Sequence, residues 1–264
     1  MYTSLQLTQK YLKYYFSAFN GKGHGTHSPF VFDFIRNVLN PKALVIPKDV
    51  EDLRSDLKKN YRTIEIEDLG AGSRIHPRKS KTISQLVATA VKPKKYGQLL
   101  FRLAKHYRPE TIIELGTSLG LTTAYFATAC ADANLVTIEG SSEVHLQAIE
   151  NFKRLQLNNI NALKGNFDDL LPLVLKDLAT IDLAYIDGNH RYRPTINYFH
   201  QLLLKKNNNT ILVFDDIHWS AEMEQAWEEI KAHPSVACTI DIFFLGFVFF
   251  RNEFKAKQHF TIRY

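Results

Sequence analysis

From residue 111 onward the chain repeats one plan: a short apolar or β-branched run, a turn, a stretch of helical period, then another apolar run. The runs are TIIELG (111–116), NLVTIEG (134–140), NALKG (161–165), IDLAYIDG (181–188) and TILVFDD (210–216). The intervals between them are long enough for crossover helices, and strands connected in this way pair in parallel. Runs as uniformly apolar as TIIEL and TILVF lack the alternation of a half-exposed strand, so both faces of their sheet must be covered by helices. Beyond residue 235 the habit changes. ACTIDIFF (237–244) and FVFFR (247–251) are separated only by Leu-Gly, a link too short for a parallel crossover, so an antiparallel hairpin with a Leu-Gly turn is expected.

The first 95 residues do not share this rhythm. They read mainly as helices over about 5–18, 29–39 after Ser28-Pro29, 48–59 and 80–91, with an irregular stretch at 60–79. An amphipathic helix over 95–107 then leads into the first run. The expected organisation is a helical N-terminal cap or lid region, 1–95, and a main α/β domain, 96–264. Its fold is expected to be Rossmann-like: a doubly wound, mostly parallel seven-stranded sheet with a terminal antiparallel hairpin.

A hydrophobic fraction of 45% with 23% charged residues excludes a disordered chain. The longest apolar stretch, FFLGFVFF (243–250), falls far short of the roughly 20 residues that a spanning helix needs, so no membrane insertion is expected. The first twenty residues lack the apolar core of a secretory signal, and a cytoplasmic location is expected. The two cysteines, Cys130 and Cys238, have no metal or redox spacing and read as buried thiols. Net charge is +6, and Arg74–Lys95 holds seven basic residues with no acid. Such a run is a solvated face, or it meets an anionic substrate or a nucleic-acid backbone.

Two strand-turn units compete for a cofactor, IEIEDLGAGSR (64–74) and TIIELGTSLGLTT (111–123). A nucleotide loop needs a strand before it, a helix straight after it, and an acid closing the next strand to take ribose hydroxyls. The second unit meets all three conditions, with Glu139 closing NLVTIEG 25 residues after Glu114. The first is followed by RIHPRKSK, where Pro77 and clustered charge oppose a helix start. It reads as a surface turn or as cover for a substrate. A dinucleotide would want a glycine at position 118, which is Ser118, so a NAD module is disfavoured.

The turn is instead G-x-x-x-G after an acid. IELGTSLG resembles motif I of class I S-adenosylmethionine (SAM) dependent methyltransferases, and TIEG is similar to their second acidic motif, over about 96–251. The resemblance implies SAM as cofactor, with Glu114, Gly116, Thr117, Ser118 and Gly120 around the methionine end and Glu139 on the ribose. It also implies Gly165, Asn166 and Phe167 at the adenine, and Asp187 near the donor.

The fourth and fifth runs end in YIDGNH and FDDIHW. Strand carboxyl ends are where ligands bind in open α/β sheets, and three acids brought together there invite a divalent cation. The pattern resembles metal-dependent O-methyltransferases related to catechol O-methyltransferase, which implies Asp187, Asp215 and Asp216 as ligands of Mg²⁺ or another divalent cation. It places His190 where those enzymes carry a general-base lysine. The expected function is methyl transfer to an oxygen of a small-molecule acceptor, with Asp187 and His190 as catalytic residues. Alternatives are N-methylation of nucleic acid or another anionic substrate, and SAM binding without catalysis. Nucleic acid is disfavoured because DGNH stands where base methyltransferases carry an Asn/Asp-Pro-Pro-Tyr element. The bland readings are that Asp216 caps the helix after Ser220 and that Asp187 binds only the methionine amine. His218 and Trp219 are placed either in the substrate pocket or in the core. In GHGTHSPFVF (23–32), His24 and His27 either touch substrate or precede a helix capped by Ser28.

Overall fold

The computed structural model describes residues 1–21, 28–43, 45–67 and 78–264. The chain forms two compact units, Ala43–Lys176 and the paired segments Met1–Lys42 and Asp177–Tyr264. His24, His27 and residues 68–77, with most of the first glycine-rich stretch, lie outside the described residues.

In Ala43–Lys176, β1 (Thr63–Glu67) pairs antiparallel with β2 (Arg78–Thr82), Thr63 opposite Thr82 and Glu67 opposite Arg78. The parallel set is β3 (Thr111–Leu115), β4 (Asn134–Glu139) and β5 (Ile160–Lys164), with β4 in the middle. Helices Leu121–Ala129 and Ser142–Arg154 make the two crossovers, as the strand-turn-helix rhythm requires. The expected helix over 80–91 is shorter, Ile83–Thr89, because Thr82 starts it with a capping box: Gln85 N–H donates to the Thr82 hydroxyl while the Gln85 side chain accepts from Thr82 N–H. The residues before it are free to join β2. Leu53, Leu57, Ile64, Ile83, Leu86, Phe101, Leu121 and Tyr125 share one buried cluster, so much of the region expected as a cap is built into this unit's core.

In the other unit the strands are β6 (Ile181–Ile186), β7 (Lys206–Asp215), β8 (Cys238–Asp241), β9 (Leu245–Phe249) and β10 (Gln258–Thr261), ordered β10-β8-β9-β7-β6. β6 and β7 are parallel, β9 runs antiparallel to β7 and β8, and β10 is parallel to β8. The architecture is α/β with mostly parallel strands and a terminal hairpin, as expected. Apart from β1 and β2, the described residues hold eight strands where seven were expected. The addition is β10, a mixed QHFT segment with no apolar run to announce it.

The hairpin forms, but its turn is Ile242–Phe244 rather than Leu-Gly. Asp241 accepts the Phe243 N–H at 2.8 Å and holds that residue at φ 73°. Gly246 lies inside β9 because the Trp227 ring occupies the space a side chain would need, with a Cβ there only 2.7 Å from it. Helix Ser4–Ser17 packs Tyr11 and Tyr14 on Phe243 at 5.1 and 5.3 Å, and the Tyr14 hydroxyl donates to the Ile262 carbonyl. Cys238 is buried as expected, whereas Cys130 is only partly so. Among the described residues no helix is long and apolar enough to cross a membrane.

Candidate active site

The second glycine loop leaves β3 at Leu115 and enters its helix at Leu121. Three residues have positive φ, Gly116 at 104°, Ser118 at 49° and Gly120 at 75°. The loop is tied to β4 by Gly116 and Thr117 N–H groups donating to the Ile138 carbonyl at 3.0 and 3.2 Å. At Gly120 a Cβ would sit 2.4 Å from the Phe152 ring, so a left-handed turn and a close approach both require glycine there.

Glu139, half-buried at the end of β4, accepts from Ser118 N–H at 2.8 Å and from Ser141 N–H at 2.9 Å. Its carboxylate therefore lies directly against the loop. Gly165 N–H donates to the Glu139 carbonyl, which places the stretch Gly165–Phe167 beside the same strand end. The Asn166 side chain accepts from Asp168 N–H at 3.0 Å, and Phe167 starts the next helix. Glu114 lies in β3, just before the loop. It is fully buried, opposite Thr137 in the β3–β4 register, and accepts from the Thr137 hydroxyl at 2.6 Å and from the Thr123 hydroxyl. Thr117 is buried too, its hydroxyl 2.6 Å from that of Thr137. Both side chains are buried beneath the loop. Thr123, Thr137 and Ser141 escaped the sequence reading, although the strand register that sets Thr137 opposite Glu114 follows from pairing the two runs.

In the other unit, Asp187 follows β6 and Asp215 ends β7. One ligand atom from each of Asp187, His190 and Asp215 lies within 4.8 Å of the other two. His190 Nε2 is 3.5 Å from Asp187 Oδ1, and the Tyr185 hydroxyl donates to Asp187 Oδ2 at 2.9 Å. Tyr185 precedes Asp187 by two positions, the same-face spacing of a strand, and is a support the sequence reading missed. The turn carrying His190 is pinned by Asn189, at φ 55°, whose amide donates to the Tyr198 hydroxyl at 3.0 Å. Asp215 is buried, with 1% of its surface exposed.

Asp216 lies outside this group. Its backbone is left-handed at φ 53°, with its N–H donating to the Phe244 carbonyl at 2.8 Å. The helix that follows is capped by Ser220, which accepts from Met223 N–H. His218 is held between Asp241 Oδ2 at 2.8 Å and Glu224 Oε1 at 3.1 Å, and stacks on Phe243. Burial alone would lower its pKa, but the two carboxylates outweigh that and raise it above the ordinary histidine value. It ties Glu224 to Asp241.

A methyltransferase domain model matches residues 113–217, the span from the glycine loop to the ends of β6 and β7. The chain is 29% identical over 133 residues to the catechol O-methyltransferase of Niastella koreensis, covering 49% of this chain and 59% of that one. Among solved structures, it resembles the O-methyltransferase from Bacillus cereus in complex with SAH, with a TM-score of 0.57, 20% identity, and 83% of this chain and 97% of that one covered. It also resembles the O-methyltransferase TomG from Streptomyces achromogenes in complex with SAM, with a TM-score of 0.54, 22% identity, and 61% and 82% covered. That domain match lies over the second glycine loop and Glu139, so residues 113–217 are similar to a methyltransferase domain, on the α/β fold shared with these SAM- and SAH-bound O-methyltransferases.

Proposed function

We propose that the chain transfers the methyl group of SAM to an oxygen of a small-molecule acceptor, assisted by a divalent cation. The observation that carries this reading is the gathering of Asp187, His190 and Asp215 after β6 and β7, where an acceptor hydroxyl would meet acidic and basic groups together. The likeness to a catechol O-methyltransferase makes a phenolic or catecholic oxygen the first acceptor to try.

On this reading Glu139 takes the ribose diol, backbone groups of the loop Gly116–Gly120 take the methionine end, and Gly165–Phe167 border the adenine. The acceptor oxygen attacks the methyl carbon in line with the sulfur. The O–C bond forms as the C–S bond breaks, the sulfonium becomes a thioether, and the hydroxyl proton leaves. Asp187, oriented by Tyr185, binds the acceptor side, and neutral His190 offers one lone pair, to the departing proton or to a cation. A bound divalent cation would lower the hydroxyl pKa and fix its position. The donors that converge are two carboxylates and an imidazole, not the three carboxylates that Mg²⁺ ligation by Asp187, Asp215 and Asp216 would need.

Residues 1–95 as a cap and 96–264 as the catalytic domain belong to the same proposal. An anionic acceptor draws limited support from the basic run, since Lys94 already pairs with Glu51 at 3.5 Å. The test is incubation with methyl-labelled SAM and a panel of phenols, catechols, sugars and nucleic acids. Label on an acceptor oxygen is expected. Label on nucleic-acid bases, with none on any oxygen acceptor, would replace this reading with the N-methylating alternative.

A further inference from the structure

We infer that the cation of this site is a borderline transition-metal ion held by Asp187, His190 and Asp215, and that His190 is its ligand rather than the free base. The inference rests on the metal-assisted reading above and concerns which atoms hold the metal. The donor atoms already lie within 4.8 Å of one another, with His190 Nε2 and Asp187 Oδ1 3.5 Å apart. Ligands about 2.1 Å from a tetrahedral ion stand roughly 3.4 Å from one another. One pair therefore has the required separation, and the remaining donors need to close by little more than an ångström.

The supports around the donors agree. Ligating carboxylates are held by outer hydrogen bonds, and the Tyr185 hydroxyl on Asp187 Oδ2 leaves Oδ1 on the side of the imidazole. Asn189 is fastened to Tyr198, which fixes the turn that presents His190. Asp216, the third oxygen ligand that the resemblance implies, is not among the side chains that converge. Mg²⁺ takes oxygen almost exclusively, whereas a mixed set of imidazole and carboxylates suits Zn²⁺, Co²⁺, Mn²⁺ or Fe²⁺. Two carboxylates with a neutral imidazole also balance a divalent charge, where three carboxylates would exceed it.

The test is calorimetric titration of the full chain, freed of metal with EDTA, by Zn²⁺, Co²⁺ and Mg²⁺, together with the visible spectrum of the Co²⁺ form. SAM affinity and a thermal melt on each sample report whether the protein is folded and competent for cofactor. The expected result is one site that prefers Zn²⁺ and Co²⁺. His190→Ala should weaken those two by more than about 100-fold, since loss of an outer partner alone costs about 10- to 100-fold, alter the Co²⁺ bands and leave Mg²⁺ binding little changed. Asp216→Asn should leave all three affinities unchanged. The inference is overturned if Asp216→Asn weakens the cation and His190→Ala does not, or if no cation binds while SAM does. In the latter case methyl transfer would stand without a metal, whereas failure of the intact chain to bind SAM would sink the functional reading itself.

Discussion

At the scale of single residues, the cofactor loop depends on a few positions where backbone conformation and space coincide. Gly120 combines φ 75° with the Phe152 ring where a Cβ would sit. Gly120→Ala is therefore expected to cost about 2–4 kcal/mol through strain and overpacking, read from denaturant unfolding; a loss below about 0.5 kcal/mol would contradict the geometry. Glu139 already lies against the loop amide of Ser118. Its replacement by alanine should raise the SAM dissociation constant about 10- to 100-fold, the worth of hydrogen bonds to a charged group. An unchanged constant by calorimetry would remove Glu139 from the ribose. Glu114 and Thr117 sit side by side with these residues in the sequence, yet they are buried struts. Residue type and spacing pointed to both, but only packing separates a side chain facing a ligand from one facing the core.

At the scale of elements, the N-terminal helix Ser4–Ser17 shows what a charged tie contributes. Glu224 accepts from the Tyr2 hydroxyl at 2.7 Å and from Lys10 at 2.9 Å, and it shares His218 with Asp241. Tyr2, Lys10, Glu224 and Asp241 are thus the charged and titratable groups tied to that imidazole or its partners. Its folded-state pKa is raised, so protonation favours the folded form. The contribution is complete below the unfolded value of about 6.5 and is lost as pH rises through the higher folded value. The stability difference between the protein and His218→Gln, measured in EDTA, should accordingly be about 1 kcal/mol or more at pH 6 and shrink at pH 9. A difference that grew with pH would reverse the assignment. The hairpin shows the opposite limit of local reading. Leu-Gly is a plausible turn by composition, but the Trp227 ring against Gly246 draws both residues into the strand and leaves Phe243 to make the bend.

For the whole molecule, cofactor binding should appear as global stability. SAM at about 100 times its dissociation constant adds about 2.7 kcal/mol to a protein that binds it only when folded, enough to raise Tm by roughly 5 °C or more at this size. NAD should leave Tm unmoved, and an equal shift with NAD would restore the dinucleotide reading. The runs after residue 111 determined the α/β class and the parallel strands, because apolar runs separated by helical intervals have few other ways to bury their surface. What they left undetermined was decided by contacts between distant segments. Thr82 opens a helix that the pattern began too early, a polar QHFT segment finds an edge to pair with, and Glu114 turns inward onto two threonines. In the same way His190 joins Asp187 and Asp215, a group that does not include Asp216. Each outcome depends on which side chains meet across the chain, a quantity that hydrophobic period and motif spacing do not contain.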